Sequence, residues 1–171
     1  MTRRFRTIDE MLEREPPTCT CDRCKHCCLI PCWGTPEQVR AIIDAGFGDR
    51  LSVTFDLGKR VVWILIPADK ARAGQYAPPF SSMSAEVGGC TFWDSEGLCH
   101  LHNAGLKPAE GRLAHHDSQV GVGGDWLRAL ILKAWDSDGG RRLVVEWMAR
   151  YQPESLSLHQ ENGNLPILEA L

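Results

Sequence analysis

Cys19-Thr-Cys-Asp-Arg-Cys-Lys-His-Cys-Cys-Leu-Ile-Pro-Cys32 is the stretch around which this chain is organised, because it holds six of the eight cysteines. Its central pattern is Cys-x-x-Cys-x-x-Cys-Cys, from Cys21 to Cys28. A Cys-x-x-Cys turn lets two sulfurs converge on one ion while the intervening N–H groups point at the thiolates. The pattern therefore predicts a metal site, completed by a downstream pair of cysteines. The predicted ligands are Cys21, Cys24, Cys27, Cys28, Cys90 and Cys99.

The adjacent pair Cys27 and Cys28 constrains how such a site is built. Neighbouring side chains on an extended backbone point to opposite sides, so both thiols cannot serve one tetrahedral ion equally. We expect one of them to bind metal while the other packs or serves a second ion. The interleaved basic residues either offset the thiolate charge or only add solubility; these are Arg23, Lys25 and His26.

Bulk composition narrows the class of protein. The chain has 171 residues, 43% of them hydrophobic, which suits one domain with an ordinary core. A net charge of -3 argues against general nucleic-acid binding and against binding to anionic membranes. The longest apolar run, residues 61–66, is far shorter than the roughly 20 residues of a membrane helix.

The N-terminal residues 1–17 mix both charges without an apolar core segment, so no secretory signal is predicted and a cytoplasmic location is expected. A reducing cytosol favours metal or redox chemistry over a disulfide framework. Disulfides and inert buried thiols are the two alternatives to metal binding.

The remaining sequence predicts a single α+β domain with a cysteine-rich metal-binding loop, a β-hairpin and flanking helices. An N-terminal helix is expected within residues 1–18, begun by the capping-box spacing of Thr7 and Glu10. Thr35-Pro-Glu-Gln38 predicts a second capped helix that ends near Gly46. Residues 51–66 alternate as a hairpin, and residues 67–89 are predicted to form a long loop.

The last part of the chain contains a turn, two helices and a tail. Asp94-Ser-Glu-Gly97 has the composition of a tight turn, which would bring Cys90 and Cys99 together. Two amphipathic helices follow, whose tryptophans are interpreted as packing rather than as a stacking platform; they are Trp126, Trp135 and Trp147. The cysteine-cluster domain is thus assigned to residues 19–151, with an irregular tail at 152–171.

These motifs resemble the CxxCxxCC family of zinc- or iron-chelating proteins over residues 19–116. The similarity consists of the Cys21–Cys28 pattern, Cys90, Gly97-Leu-Cys99-His-Leu-His102 and Pro108-x-x-x-Arg112. The resemblance implies a compact site lined by cysteines. Thiolates suit both zinc and iron, and Cys21, Cys24 and Cys27 also match the first part of a ferredoxin run, so zinc and an iron–sulfur cluster both remain open.

The chain departs from the family pattern at one expected ligand, because Gly111 stands where the family has its last cysteine. A second cysteine or an imidazole is expected to replace it, since neutral histidine also binds zinc or iron. The candidate replacements are Cys19, Cys32, His100, His102, His115 and His116. For the pair His115-His116, a solvated or capping role is the alternative.

Three functions are compatible with this site. The first is a metal-binding protein that acts as a chelator, a carrier or an accessory factor for a client protein. The second is a metalloenzyme with an open metal position, for which an acid or base is sought among Glu86, Glu110, His115 and Asp117. Glu110 and Arg112, which flank Gly111, are the candidates for handling its substrate. The third is a structural zinc module that shapes a surface for a protein partner.

Overall fold

The computed structural model describes residues 7–13, 19, 21–57, 61–68, 70, 89–94, 96–115 and 125–151. Seven α-helices, two other short helical segments (Ile43–Phe47 and Gly48–Arg50) and two strands lie in these residues. The helices are α1 (Ile8–Leu12), α2 (Asp22–Cys27), α3 (Pro36–Ile42), α4 (His100–Asn103), α5 (Ala109–Leu113), α6 (Asp125–Trp135) and α7 (Asp138–Tyr151), and the strands are β1 (Leu51–Leu57) and β2 (Val61–Pro67). The α+β class predicted from the sequence is confirmed. The predicted 152–171 tail and most of the 67–89 loop lie outside the described residues.

Two helix starts follow their sequence signals. The Thr7 hydroxyl accepts a hydrogen bond from the amide of Glu10 and begins α1. At α3 the capping box is complete, because Thr35 accepts from the amide of Gln38 and the Gln38 side chain accepts from the amide of Thr35. The chain continues through a wider helical turn, Ile43–Phe47, in which Gly46 takes a φ of +89°.

The two strands form the predicted hairpin. They pair antiparallel with Leu51 opposite Pro67 and Leu57 opposite Val61. Both faces of β1 are covered, since Ser52 and Thr54 are buried as well as the apolar side chains between them. Helices α6 and α7 both pack against β2. The hairpin is therefore the centre of the core.

The tryptophans of α6 and α7 pack into that core, as predicted. Trp135 and Trp147 are each 1% exposed, and Trp126 is half-buried against the same cluster. The Nε1 atoms of Trp135 and Trp147 donate to the carbonyl oxygens of Gly34 and Gly48, both at 2.8 Å. These bonds tie both C-terminal helices to the segments that flank α3.

The central part of the cysteine stretch is a helix, although the sequence was expected to form a loop. Cys21 is the N-cap of α2 and Cys28 is its C-cap. Asp22 in the first turn and Lys25 and His26 in the last turn complement the helix dipole. Cys27 and Cys28 are thus successive residues of a helical turn, and the extended backbone assumed for them is wrong.

The described helices include none that is both long enough and apolar enough to cross a membrane.

Candidate metal centre

All eight cysteines lie in the described residues and no disulfide joins them. Seven of the eight cysteines belong to two separate groups of side chains. We call the first set, Cys19, Cys21, Cys24 and His115, the outer group. We call the second set, Cys28, Cys32, Cys90 and Cys99, the inner group.

The outer group contains ligand atoms at metal-binding separation. The ligand atoms of Cys19, Cys24 and His115 all lie within 4.8 Å of one another. Cys24 is buried on α2, and His115 follows α5, so the site joins the start of the domain to a segment far along the chain. The described part of the chain therefore has a thiol and imidazole group that could hold a metal ion.

Cys21 extends the outer group toward the surface. Its amide donates to the Cys19 sulfur at 3.4 Å. The backbone N–H of Cys24 donates to the Cys21 sulfur, and this bond, with hydrogen bonds to the thiols of Cys19 and Cys24, lowers the pKa of Cys21. A thiol stabilised in its anionic form is prepared for metal binding, because the thiolate is the ligand.

The inner group surrounds a small cavity of about 10 Å³. Cys27, Cys28, Cys32, Cys90 and Cys99 line it, together with Lys107 and Gly111. The Lys107 Nζ donates to the Cys28 sulfur at 3.5 Å. Five thiols and one ammonium group thus face a space about the size of one water molecule.

The thiols of the inner group are electrostatically unequal. A hydrogen bond from Cys99, followed by the ammonium of Lys107, lowers the pKa of Cys28 to about 6. The same hydrogen bond, together with burial, raises the pKa of Cys99. Burial raises the pKa of Cys90 to about 11 and also raises that of Cys32. Without a cation in the cavity, Cys28 is the inner thiol that ionises first.

Backbone hydrogen bonds bring the downstream cysteines to this cavity. The amide of Cys90 donates to the carbonyl oxygen of Leu29 at 2.8 Å, which ties it to the end of α2. Asp94 accepts from the amides of Glu96 and Leu98, so the predicted turn forms. Trp93 and Cys99 then pair across it. Cys90 and Cys99 consequently line one cavity.

Gly111 is in direct contact with the inner group. A Cβ built on Gly111 would lie 2.8 Å from the Cys32 sulfur and 3.3 Å from the Cys32 Cβ. The side chain of Cys32 therefore fills the space into which a side chain at position 111 would extend. Of the six candidate replacement ligands, Cys32 packs against Gly111 and His115 lies in the outer group.

The other candidate residues are placed differently. His100 is exposed and its Nε2 lies 3.6 Å from Asp94, while His102 is exposed on α4. Neither belongs to the outer group or lines the cavity of the inner group. His116, Glu86 and Asp117 lie outside the described residues.

Glu110 is buried, 6% exposed, and both of its carboxylate oxygens bind protein groups. One oxygen accepts from the amide of Trp33 at 2.8 Å and the other from Nε of Arg128 at 3.0 Å. The Arg128 guanidinium also lies over the Trp33 ring, 5.1 Å from its centroid. Glu110 thus positions the residue after Cys32, whereas the sequence had suggested it as an acid or base. Arg128 had no signal in the sequence, since an arginine on an amphipathic helix is ordinary.

Comparisons with protein-family models, with curated proteins and with solved structures found no match. The class of this protein is therefore assigned from its fold and from the side chains of the outer group. It is an α+β protein with a cysteine and histidine group that could hold a metal ion.

Proposed function

We propose that this protein is a metal-binding protein that holds a zinc ion in the outer group. The observation that carries the proposal is the mutual approach of the ligand atoms of Cys19, Cys24 and His115 to within 4.8 Å. A tetrahedral site with Zn–S bonds of about 2.3 Å needs ligand atoms roughly 3.8 Å apart. Small side-chain adjustments bring the three atoms to that separation.

Cys21 is the fourth ligand in this proposal. Its thiol is hydrogen-bonded to the thiols of both Cys19 and Cys24, and three cysteines with one histidine form a common zinc ligand set. One mixed sulfur and nitrogen set suits a single ion better than an iron–sulfur cluster, which is usually held by cysteines alone. Of the ligands predicted from the sequence, the proposal retains Cys21 and Cys24, and it adds Cys19 and His115.

A carrier or accessory role is favoured over a purely structural one by the exposure of the site. Cys21 is exposed, and Cys19 and His115 are only partly buried. A metal ion with an exposed thiolate ligand is accessible to a competing ligand from a client protein. The hairpin and helices supply an apolar core of their own, so the fold does not depend on the metal alone.

Elemental analysis of the full chain, purified without oxygen, tests metal binding. We expect a colourless protein with bound zinc, and loss of one equivalent in Cys24→Ser and in His115→Ala. His102→Ala is the matched control, because it removes an exposed imidazole that lies outside the group. Unchanged zinc content in Cys24→Ser would refute the site.

The rate of zinc transfer to a competing chelator tests the role. A carrier should release zinc from the folded protein within minutes, with a rate that rises with chelator concentration. A closed structural site would release it only as fast as the protein unfolds. The unfolding rate, measured on the same sample in urea and extrapolated to water, gives the reference for this comparison.

A further inference from the structure

The thiols that the outer group does not use lie together around the cavity that also contains the side chain of Lys107. Thiols are weak hydrogen-bonding groups, and most buried cysteines are scattered in the core as small apolar side chains. Here the four side chains of the inner group come from three different segments and converge on one space. Such convergence indicates a shared ligand.

We propose that Cys28, Cys32, Cys90 and Cys99 form a second centre, which binds one zinc-class divalent ion beside Lys107. The proposal does not depend on the outer group, since the two sets share no ligand. It differs from the motif-based prediction in three ways, the first being that Cys27 lines the cavity but is not one of the four ligands. Cys28 is separated from Cys21 and Cys24, and Cys32 becomes a ligand.

The size of the cavity favours one ion. About 10 Å³ holds one water-sized sphere, so there is room for one ion between the thiols. The thiols also interact with one another: Cys28 is hydrogen-bonded to Cys99, Cys90 further raises the pKa of Cys32, and Cys32 further raises the pKa of Cys99. To share one ion, the four thiols must turn toward the cavity that they line.

The charge of the surroundings also fits this ion. Four thiolates and one divalent cation carry a net charge of about -2, which is costly away from water. Lys107 lies 3.5 Å from the Cys28 sulfur and offsets part of that charge with a hydrogen bond to a ligand atom. This is the ordinary role of a group that surrounds a metal centre without binding the ion.

The assignment of Cys32 as a ligand can be tested by moving the thiol from position 32 to position 111. Gly111 directly faces the Cys32 side chain, and its missing Cβ would lie 2.8 Å from the Cys32 sulfur. Cys32→Gly should remove one ligand from the inner centre. Adding Gly111→Cys to that variant places a thiol in the vacated space from the opposite side, so the double variant should regain the inner ion.

The experiment is a titration of the metal-free full chain with Co²⁺, followed by the absorption bands of thiolate-bound cobalt, and then with Zn²⁺, counted by elemental analysis. We expect two equivalents in the unmodified protein and one in Cys90→Ser. Cys24→Ser should also bind one, at the inner centre. Cys32→Gly should bind one, and the double variant two. Lys107→Met should weaken the inner site roughly tenfold to 100-fold.

Other results would overturn one of the two centres. One equivalent in the unmodified protein, retained in Cys90→Ser and lost in Cys24→Ser, would leave only the outer site. One equivalent lost in both variants would mean a single shared site, and iron with acid-labile sulfide would mean a cluster. If Cys24→Ser keeps its single ion and Cys90→Ser loses it, the outer site fails and the inner one stands. Circular dichroism of each variant identifies samples that have unfolded. If a single variant unfolds, the number of ions bound by the double variant Cys32→Gly, Gly111→Cys decides whether the inner centre exists.

Discussion

Trp33 and Glu110 exchange two hydrogen bonds between distant parts of the chain. The Trp33 amide donates to the Glu110 carboxylate at 2.8 Å, and the Glu110 amide donates to the Trp33 carbonyl oxygen at 3.1 Å. Since Trp33 follows Cys32, this pair fixes the end of the cysteine stretch against α5. Glu110, a candidate acid or base from the sequence, is thereby part of the framework of the inner group.

Glu110→Gln should destabilise the metal-free protein. The amide side chain can still accept from Trp33, but it loses the ion pair with Arg128 and places a second donor near that guanidinium. Arg128 is 32% exposed, so we expect a loss of about 1 to 2 kcal/mol in the free energy of unfolding. Urea unfolding measures this loss of stability.

The matched control is Glu146→Gln, whose partner Arg40 lies 2.6 Å away in a pair that is 45% and 56% exposed. There the loss should stay below about 0.5 kcal/mol, and equal losses would contradict the role given to Glu110.

Trp135→Phe and Trp147→Phe should separate stability from metal binding. Each removes an indole N–H that donates to a glycine carbonyl at 2.8 Å and leaves that oxygen without its donor. Both variants should lose about 1 to 3 kcal/mol in urea unfolding. Only Trp135→Phe should weaken zinc binding at the inner group, because its partner Gly34 is close to Cys32 whereas Gly48 precedes β1. A similar loss of affinity in both variants would show that general destabilisation is the cause.

Gly139 and Gly140 are adjacent in the first turn of α7 and should respond to alanine in opposite directions. A Cβ on Gly139 would meet only the Ser137 hydroxyl oxygen at 3.8 Å, so Gly139→Ala should stabilise the helix by up to about 1 kcal/mol. A Cβ on Gly140 would overlap the backbone of Trp135, whose Cα lies at 2.8 Å. Gly140→Ala should therefore lower the melting temperature while Gly139→Ala raises it. A rise in both variants would mean that α6 and α7 are not packed this closely.

Lys107→Met should raise the pKa of Cys28 in the metal-free protein. The ammonium favours the thiolate, so its removal moves the pKa upward from about 6, while the hydrogen bond from Cys99 keeps it below the ordinary value for a thiol. Less thiolate is then present below neutral pH, and alkylation of Cys28 slows there. The pH profile of iodoacetamide labelling, read by peptide mass spectrometry, gives the midpoint. Lys133→Met, which alters an exposed lysine on α6, is the control and should leave the profile unchanged.

Local sequence signals predicted the parts of the fold that depend on local chemistry. The caps at Thr7 and Thr35 satisfy backbone donors within the same turn. The hairpin follows from alternating residues in two strands that are neighbours in the sequence and pair with each other. The turn after Asp94 is equally local. Helix α2 was missed because Cys-x-x-Cys spacing is read as a metal-binding loop, although the same spacing also suits one face of a helix.

The division of the cysteines into two groups depends on contacts between distant residues. The approach of His115 to Cys24 and the packing of Cys32 on Gly111 are set by how residues 19–32 and 109–115 come together in the folded protein. Short helices such as α4 and α5 have too few residues for a periodic signal, and their burial decides their formation. Gly111, which stands where the resembled family pattern has a cysteine, was the one sequence signal that pointed to a substitute ligand.

Both groups draw their residues from the same two stretches, 19–32 and 90–115. Those stretches are separated by roughly sixty residues, and joining the ends of so long a segment carries an entropic cost in the unfolded chain. An ion held across them acts as a reversible cross-link, comparable to a disulfide that a chelator can open. Chelation should then do more than empty a site: it should release the constraint on the intervening hairpin segment and lower the resistance of the whole domain to proteolysis.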